Sequence, residues 1–548
     1  YGFRYGTRAQ EGTRFNEYRF DDPFSYLEVL NDGSREMMSH SVNLVTDYRL
    51  SDRNSLSLSS MLSARGGDSQ DSNVYSEWIS ADATTQYLRA TDDSDRDLSA
   101  DFGLSFRHIV DPSRHELTAE ARFETETENE SQRYRQEQFQ AGADPVLSSL
   151  ERSDMGERVT QASAQVDYLR PVGPDGKLEA GYKGSLQELD TDFLAETFDL
   201  AQQMYVEDPG QTNAFLHSEQ IHAAYGILGQ QFGRIGIQAG VRLEQALTTF
   251  TLASTDTDFD NNYFSLFPSA FLTYKLSELH QLRLSYSKRI NRPRVSGRFN
   301  QLSPISDLSD PLFRRVGNPY LKPEYVHSLE VAYAYNAGST SLTLSPYFRR
   351  TVDVIRPIDS VGEDGVTTVT FRNIDQSDSW GAEAIGSFAI GDRINAFASL
   401  NGYQVNTTAS TADAALSNNA FGWASRVNAT FKLTPTLDMQ ASWFYRAPMD
   451  VEQGGRMGAM NRADLAFRQR LWGQKANLSV RVNDPLNVSG FQIERDTPNF
   501  YLKNTRRFDS RSVSATLTVN FGKQDSSRRR GNRQDQRPEG MDEGEMVY

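Results

Sequence analysis

The sequence predicts an all-β fold, a large antiparallel transmembrane β-barrel of about 20 strands. Three observations predict it. Runs with a period of two recur from one end of the chain to the other, each giving one apolar and one polar face. No stretch approaches the ~18 consecutive apolar residues of a membrane helix, while 38 % of the 548 residues are apolar and 11 % aromatic. Short turns also alternate with long polar connections, the asymmetry of a barrel with turns on one side of a membrane and loops on the other.

The alternation is clearest in three places. Leu282, Leu284 and Tyr286 interleave with Arg283, Ser285 and Ser287. Leu342 and Leu344 interleave with Ser341, Thr343 and Ser345. Near the end, Ala515, Leu517, Val519 and Phe521 interleave with Ser514, Thr516, Thr518 and Asn520. A barrel strand needs only ~9–11 residues, half of them facing a polar lumen. A mean hydropathy of -0.60 is therefore no obstacle to a membrane location.

Short turns are expected at 51–54, 111–114, 172–176, 229–233, 277–280, 336–338, 391–393, 434–436 and 473–474, where Gly, Pro, Asn, Asp and Ser supply the backbone angles a tight reversal needs. Long polar connections are expected at about 67–94, 129–154, 191–213, 251–262, 293–323, 409–419, 448–459 and 487–505. Nine hairpins with one strand at each end give roughly 20 strands. Acidic runs such as Asp92-Asp93-Ser94-Asp95 fall in these connections and read as a solvated rim. Trp423 and Trp443 read as interfacial girdle residues.

Composition excludes several function classes. A net charge of -16 argues against a nucleic-acid surface. With no cysteine there is no disulfide, thiolate metal site or cysteine nucleophile. Asp256-Thr-Asp-Phe-Asp260-Asn261 begins like a calcium loop, but Asn261 stands where Gly is needed and Phe267 where Glu is needed. His217 and His222 fall on opposite faces of a strand, so no shared metal is expected. Nucleophile-elbow, phosphate-loop and paired-carboxylate patterns are absent, and neither catalysis nor a cofactor is expected. Residues 1–523 read as one barrel, and 524–548 as a disordered polar tail too poor in apolar residues to fold. The chain opens at Tyr1 inside a strand-like run, which reads as a fragment lacking an N-terminal portion.

Tyr286-Ser-Lys-Arg-Ile-Asn-Arg-Pro293, then Gly317-Asn-Pro-Tyr-Leu-Lys-Pro-Glu324, then Tyr347-Phe-Arg-Arg-Thr-Val-Asp-Val-Ile355 resemble, in order and spacing, the TonB-dependent outer-membrane receptors. The resemblance is strongest to their "outer membrane protein beta-barrel" branch. It implies a 22-strand barrel in the full protein, an N-terminal plug that this chain lacks, and a segment contacting the TonB complex. It also implies residence in the bacterial outer membrane, against lipid and lipopolysaccharide, and import of a scarce ligand such as a siderophore, vitamin, glycan or peptide. Within the motif, Gly317, Asn318, Pro319, Leu321, Lys322, Pro323 and Glu324 read as structural. Pro319 and Pro323 remove backbone donors, so a ladder cannot start before Glu324.

A basic cluster surrounds that motif: Arg289, Arg292, Arg294, Arg298, Arg314, Arg315 and Lys322. Concentrated positive charge on an acidic chain suits an anionic ligand, with lipopolysaccharide phosphates or neighbouring acidic loops as the competing partners. Two rival functions stay open, a passive pore or assembly/adhesion barrel without energy coupling, and an outer-membrane enzyme. A soluble propeller is opposed by the unequal connections.

Overall fold

The computed structural model describes residues 1–519 apart from 21–22, 80–83, 112–114, 140–143, 254–256, 296–299, 304–309, 363–364, 410–416 and 509–510. One sheet contains every described strand. The first half of the chain gives β1 (Gly2–Tyr18), β2 (Ser25–Ser51), β3 (Asn54–Trp78), β4 (Thr84–Asp111), β5 (His115–Phe139), β6 (Val146–Val172) and β7 (Gly176–Asp199). It continues with β8 (Met204–Glu207), β9 (Asn213–Phe232), β10 (Ile235–Leu252), β11 (Thr257–Asp260), β12 (Tyr263–Lys275) and β13 (His280–Asn291). The second half gives β14 (Phe313–Arg315), β15 (Glu324–Ala337), β16 (Thr340–Val361), β17 (Thr367–Ile390), β18 (Ile394–Thr408), β19 (Asn418–Lys432) and β20 (Leu437–Arg446). It ends with β21 (Met449–Val451), β22 (Gly455–Met457), β23 (Met460–Leu471), β24 (Ala476–Asn483), β25 (Gly490–Asp496), β26 (Phe500–Phe508) and β27 (Ser512–Val519).

Pairing shows which of these form the wall. Six wall strands are interrupted part-way: β8/β9, β11/β12, β20/β21, β22/β23, β24/β25 and β26/β27. Strand β14 pairs in parallel with β17, away from the antiparallel ladders. Counted so, the described wall has twenty antiparallel strands, as the turn pattern predicts. The ring closes where β1 pairs with β26, from Gln10 opposite Phe508 to Tyr18 opposite Phe500. Below that seam β27 pairs only with β24 among the described residues.

Eight of the nine expected short turns join consecutive wall strands at one end of the barrel, and residues 112–114 of the ninth, between β4 and β5, lie outside the described residues. Five of the eight hold a glycine at positive φ, for instance Gly233 at 58° and Gly338 at 61°, backbone angles that side-chain-bearing residues rarely adopt. Just above these turns the outward face is apolar. One register row runs Leu58, Leu104, Ala121, Ala164 and Gly184. Further round, Leu272 faces Leu284, which in turn faces Val331, and Val427 faces Trp443. These side chains are exposed because lipid is their solvent. Trp443 and Trp423 cluster with Tyr445 at the upper margin of this band, where girdle aromatics belong.

The long connections are corrected in part. Residues 67–94 and 129–154 are mostly ladder, since β3 to β6 run on for 25 to 28 residues each. Asp92, Asp93 and Asp95 therefore lie on strand β4 and not in a loop. Asp95 is buried against the Arg35 guanidinium, and Asp97 against Arg65. Cross-strand ion pairs take the place of apolar contacts where the wall rises above the membrane.

Candidate functional site

The barrel mouth is crossed by its own polypeptide, and one wall hairpin explains how. Strand β15 follows β16 only as far as Tyr325 opposite Val352. Strand β18 follows β17 only as far as Thr408 opposite Gln376. At that same level Asp353 drops out of the β16–β17 ladder, between Val352 opposite Gln376 and Val354 opposite Ile374, with a positive φ of 55°. A residue in the left-handed region kinks a strand, and Asp tolerates it better than most. Above the kink the hairpin pairs with itself and with β14, and among the described residues with neither wall neighbour.

Its contacts lie across the ring. Val361 packs with Leu312 against Tyr18, Leu27, Val29 and Tyr75 of β1 to β3. The Tyr18 hydroxyl donates to the Gly365 carbonyl at 3.0 Å. Arg356 pairs with Glu452 at 2.8 Å, and Arg495 with Asp359 at 2.7 Å. Ile355 and Phe371 belong to one apolar cluster with Leu189, Phe215 and Phe250 of β7, β9 and β10.

The segment between β13 and β15 completes the cover. Val295, Leu302 and Leu321 lie in that same apolar cluster. Arg14 on β1 holds Asp310 bidentately. On the twenty-strand ring β1 stands opposite the β13–β15 connection, so this pair spans the lumen. The motif residues fasten the crossing. Gly317 donates to the Ser303 carbonyl at 2.8 Å, and a Cβ there would lie 2.3 Å from the same oxygen. The Asn318 side chain donates to the Phe371 carbonyl at 2.9 Å and accepts from the Tyr320 amide at 3.0 Å. Lys322 and Asn373 exchange hydrogen bonds through their backbone and side-chain groups. Pro319 and Pro323 precede β15, which begins at Glu324, and its carboxylate accepts from the Ile355 amide at 2.6 Å.

The basic cluster is spread out by this arrangement. Arg292 is held by Glu244 at 2.7 Å, Glu219 at 3.5 Å and the Tyr263 hydroxyl at 2.9 Å, inside the wall of β9 to β12. Arg289 lies on β13, and Arg315 on β14 near Asp359. Arg294, Arg314 and Lys322 are exposed and form no ion pair with any described residue. Arg298 lies outside the described residues. The lid hairpin and its Asp353 kink left no sequence signal beyond the run that ends at Ile355, because its partners are hundreds of residues away.

The described residues thus form a barrel whose mouth is crossed by its own inward-folded hairpin. The chain belongs to the outer membrane protein beta-barrel family, whose model matches residues 108–521. Its place is therefore the bacterial outer membrane. No curated protein matches the chain. Among solved structures it is similar to the siderophore receptor PiuA from Acinetobacter baumannii, with 11 % identity, TM-score 0.54, and 91 % of this chain and 81 % of that one covered. It is also similar to the copper transporter OprC, with 12 % identity, TM-score 0.54 and coverage of 92 % and 80 %. The ferric-catecholate import receptor Fiu from K12 E. coli matches with 10 % identity, TM-score 0.52 and coverage of 92 % and 82 %. At these identities the likeness is one of fold.

Proposed function

We propose that this chain is the barrel of a TonB-dependent receptor that imports a scarce ligand across the outer membrane: a siderophore, vitamin, glycan or peptide. The observation that carries the reading is the covered mouth. A passive porin gains nothing from a lid fastened across its diameter, whereas an importer must hold its channel shut until a ligand is engaged. The fold shared with receptors for siderophores supports the same reading. In it, the TonB complex supplies the energy, the barrel performs no catalysis, and capture works by different ligand affinity in different loop states. Arg294, Arg314 and Lys322 are the exposed cations on the crossing segment that an anionic ligand would meet. Arg292 supports the wall in this reading.

The test is uptake by cells that produce the protein, using a panel of labelled ferric siderophores, cobalamin, oligosaccharides and peptides, with and without a protonophore. Uptake of one class that stops on de-energising is expected. Uptake that persists without energy would sink the importer and leave a passive pore or adhesion barrel.

A further inference from the structure

We propose that the upper part of the β16–β17 hairpin, with β14 as its third strand, is a hinged lid. Its hinge is at Asp353, its latch is the Arg14–Asp310 pair, and solute enters the lumen only when the latch releases. The inference does not rest on the importer reading, because its test reads ion flow through the purified barrel with no ligand and no energy source.

The hinge follows from where pairing stops. Three ladders break at one level: β15 with β16 after Val352, β17 with β18 at Gln376, and β16 with β17 at Asp353. Below that line the hairpin is held on both edges. Above it, no ladder ties it to the wall among the described residues; both hairpin strands pass this level and β14 runs on through 316–323 to β15, and the kink in β16 marks the line about which the unit can turn. The lid itself is stiff, since Val354 opposite Ile374 to Val361 opposite Thr367 is paired, and β14 adds Phe313 opposite Thr367 to Arg315 opposite Val369. Val354 and Ile374 form a small buried cluster just above the kink.

The latch follows from what holds the far end. At the hinge the lid is secured by backbone ladders, but at its tip it is secured mainly by side chains. These are Arg14 with Asp310 and Tyr18 with Gly365, beside the apolar packing of Val361 and Leu312 on Tyr18, Leu27, Val29 and Tyr75, with Arg495–Asp359 and Arg356–Glu452 nearer the hinge. Polar contacts of this kind can be exchanged for water or for ligand groups, whereas a paired ladder cannot be exchanged piecemeal. Arg14 is nearly buried and Asp310 is one-fifth exposed. Removing the cation therefore leaves a partly desolvated carboxylate that is better hydrated with the lid raised.

The sequence has no cysteine, so an introduced pair is the only thiol chemistry present. The purified 548-residue chain with Arg14→Cys and Asp310→Cys would be joined by a short reducible bis-maleimide. Potassium chloride conductance would then be read in a planar bilayer before and after reduction. Low conductance while joined and a several-fold rise on reduction are expected. Arg14→Ala should show the same rise without any cross-linker, and Arg14→Lys should keep conductance low. Spin labels at Ser360→Cys on the lid and Asp32→Cys on the wall give a second readout, independent of conduction. Arg14→Ala should add a longer distance that the unaltered latch lacks. Equal conductance in the joined, reduced and Arg14→Ala forms, or a distance unchanged by Arg14→Ala, would overturn the lid.

Discussion

The two sides of the barrel dispose of extra chain in opposite ways. Strands β2 to β7 have 24 to 28 residues, far beyond the ~9–11 a membrane requires. Strands β12, β13 and β20 have 13, 12 and 10, and their surplus chain turns inward as crossing segment and lid. The difference lies in the capacity to pair. From 25 to 111 the tall side has no proline, and its inward rows carry complementary charges such as Arg35 with Asp95 and Arg89 with Glu151. Between 292 and 323 the chain has Pro293, Pro304, Pro311, Pro319 and Pro323, each lacking the donor a ladder needs. Chain that can pair becomes wall. Chain that cannot pair with the wall is free to cover the mouth.

The sharpest way to break this contrast is to give the tall side the low side's chemistry. Thr127→Pro falls mid-ladder in β5, between Leu98 and Arg158. It should cost about 3 kcal/mol or more, read as a lower urea midpoint with the upper parts of β4 to β6 losing amide protection. A smaller effect tests the kink: Asp353→Val places a β-branched residue at φ 55° and should cost about 1–2 kcal/mol. Asp353→Gly should cost nothing there, and hydrogen exchange over 354–374 reports both.

The smallest effect belongs to the tall wall's inner face. Glu157, opposite Glu128 and above the apolar band, is pushed up to about 7 by burial, then by the Glu128 and Glu126 carboxylates. A raised carboxyl gives stability that is complete below the ordinary value of 4.5 and is lost as pH rises through about 7. Glu157→Gln should therefore match the parent at pH ~4 and exceed it by a few degrees at pH ~8 in thermal unfolding. An advantage of equal size at both pH values would remove the electrostatic account.

Much of the fold could be read from the sequence. The short turns, the strand count and the outward rows are local, set by turn residues and by a period of two. The tall ladders are hidden in the sequence because, above the membrane, both faces of a strand meet polar surroundings. Gly66-Gly67-Asp68-Ser-Gln-Asp71 has the composition of a loop although it is paired throughout. The site was legible only as a motif. Asn318 and Pro323 mark a rigid transition in the sequence, but the hydrogen bond from Asn318 to Phe371 and the segment's place across the mouth depend on partners from other strands. Proximity in sequence also joined Arg292 to Arg314, while the fold gives Arg292 to Glu244 and leaves Arg314 exposed.

The seam between β1 and β26 sets the order in which the molecule can be made. Glu11 meets Arg507 there, so almost the whole chain must emerge before the ring can close. Until then two long strand edges stay unpaired, each a template for the wrong neighbour, and the entropy of joining such distant partners is spent last. Arg14 stands on β1 within that same seam, so the latch position is completed only as the ring is sealed. A barrel stalled before its last strand would be open at the side, with β1, the strand that carries Arg14, bare along one edge.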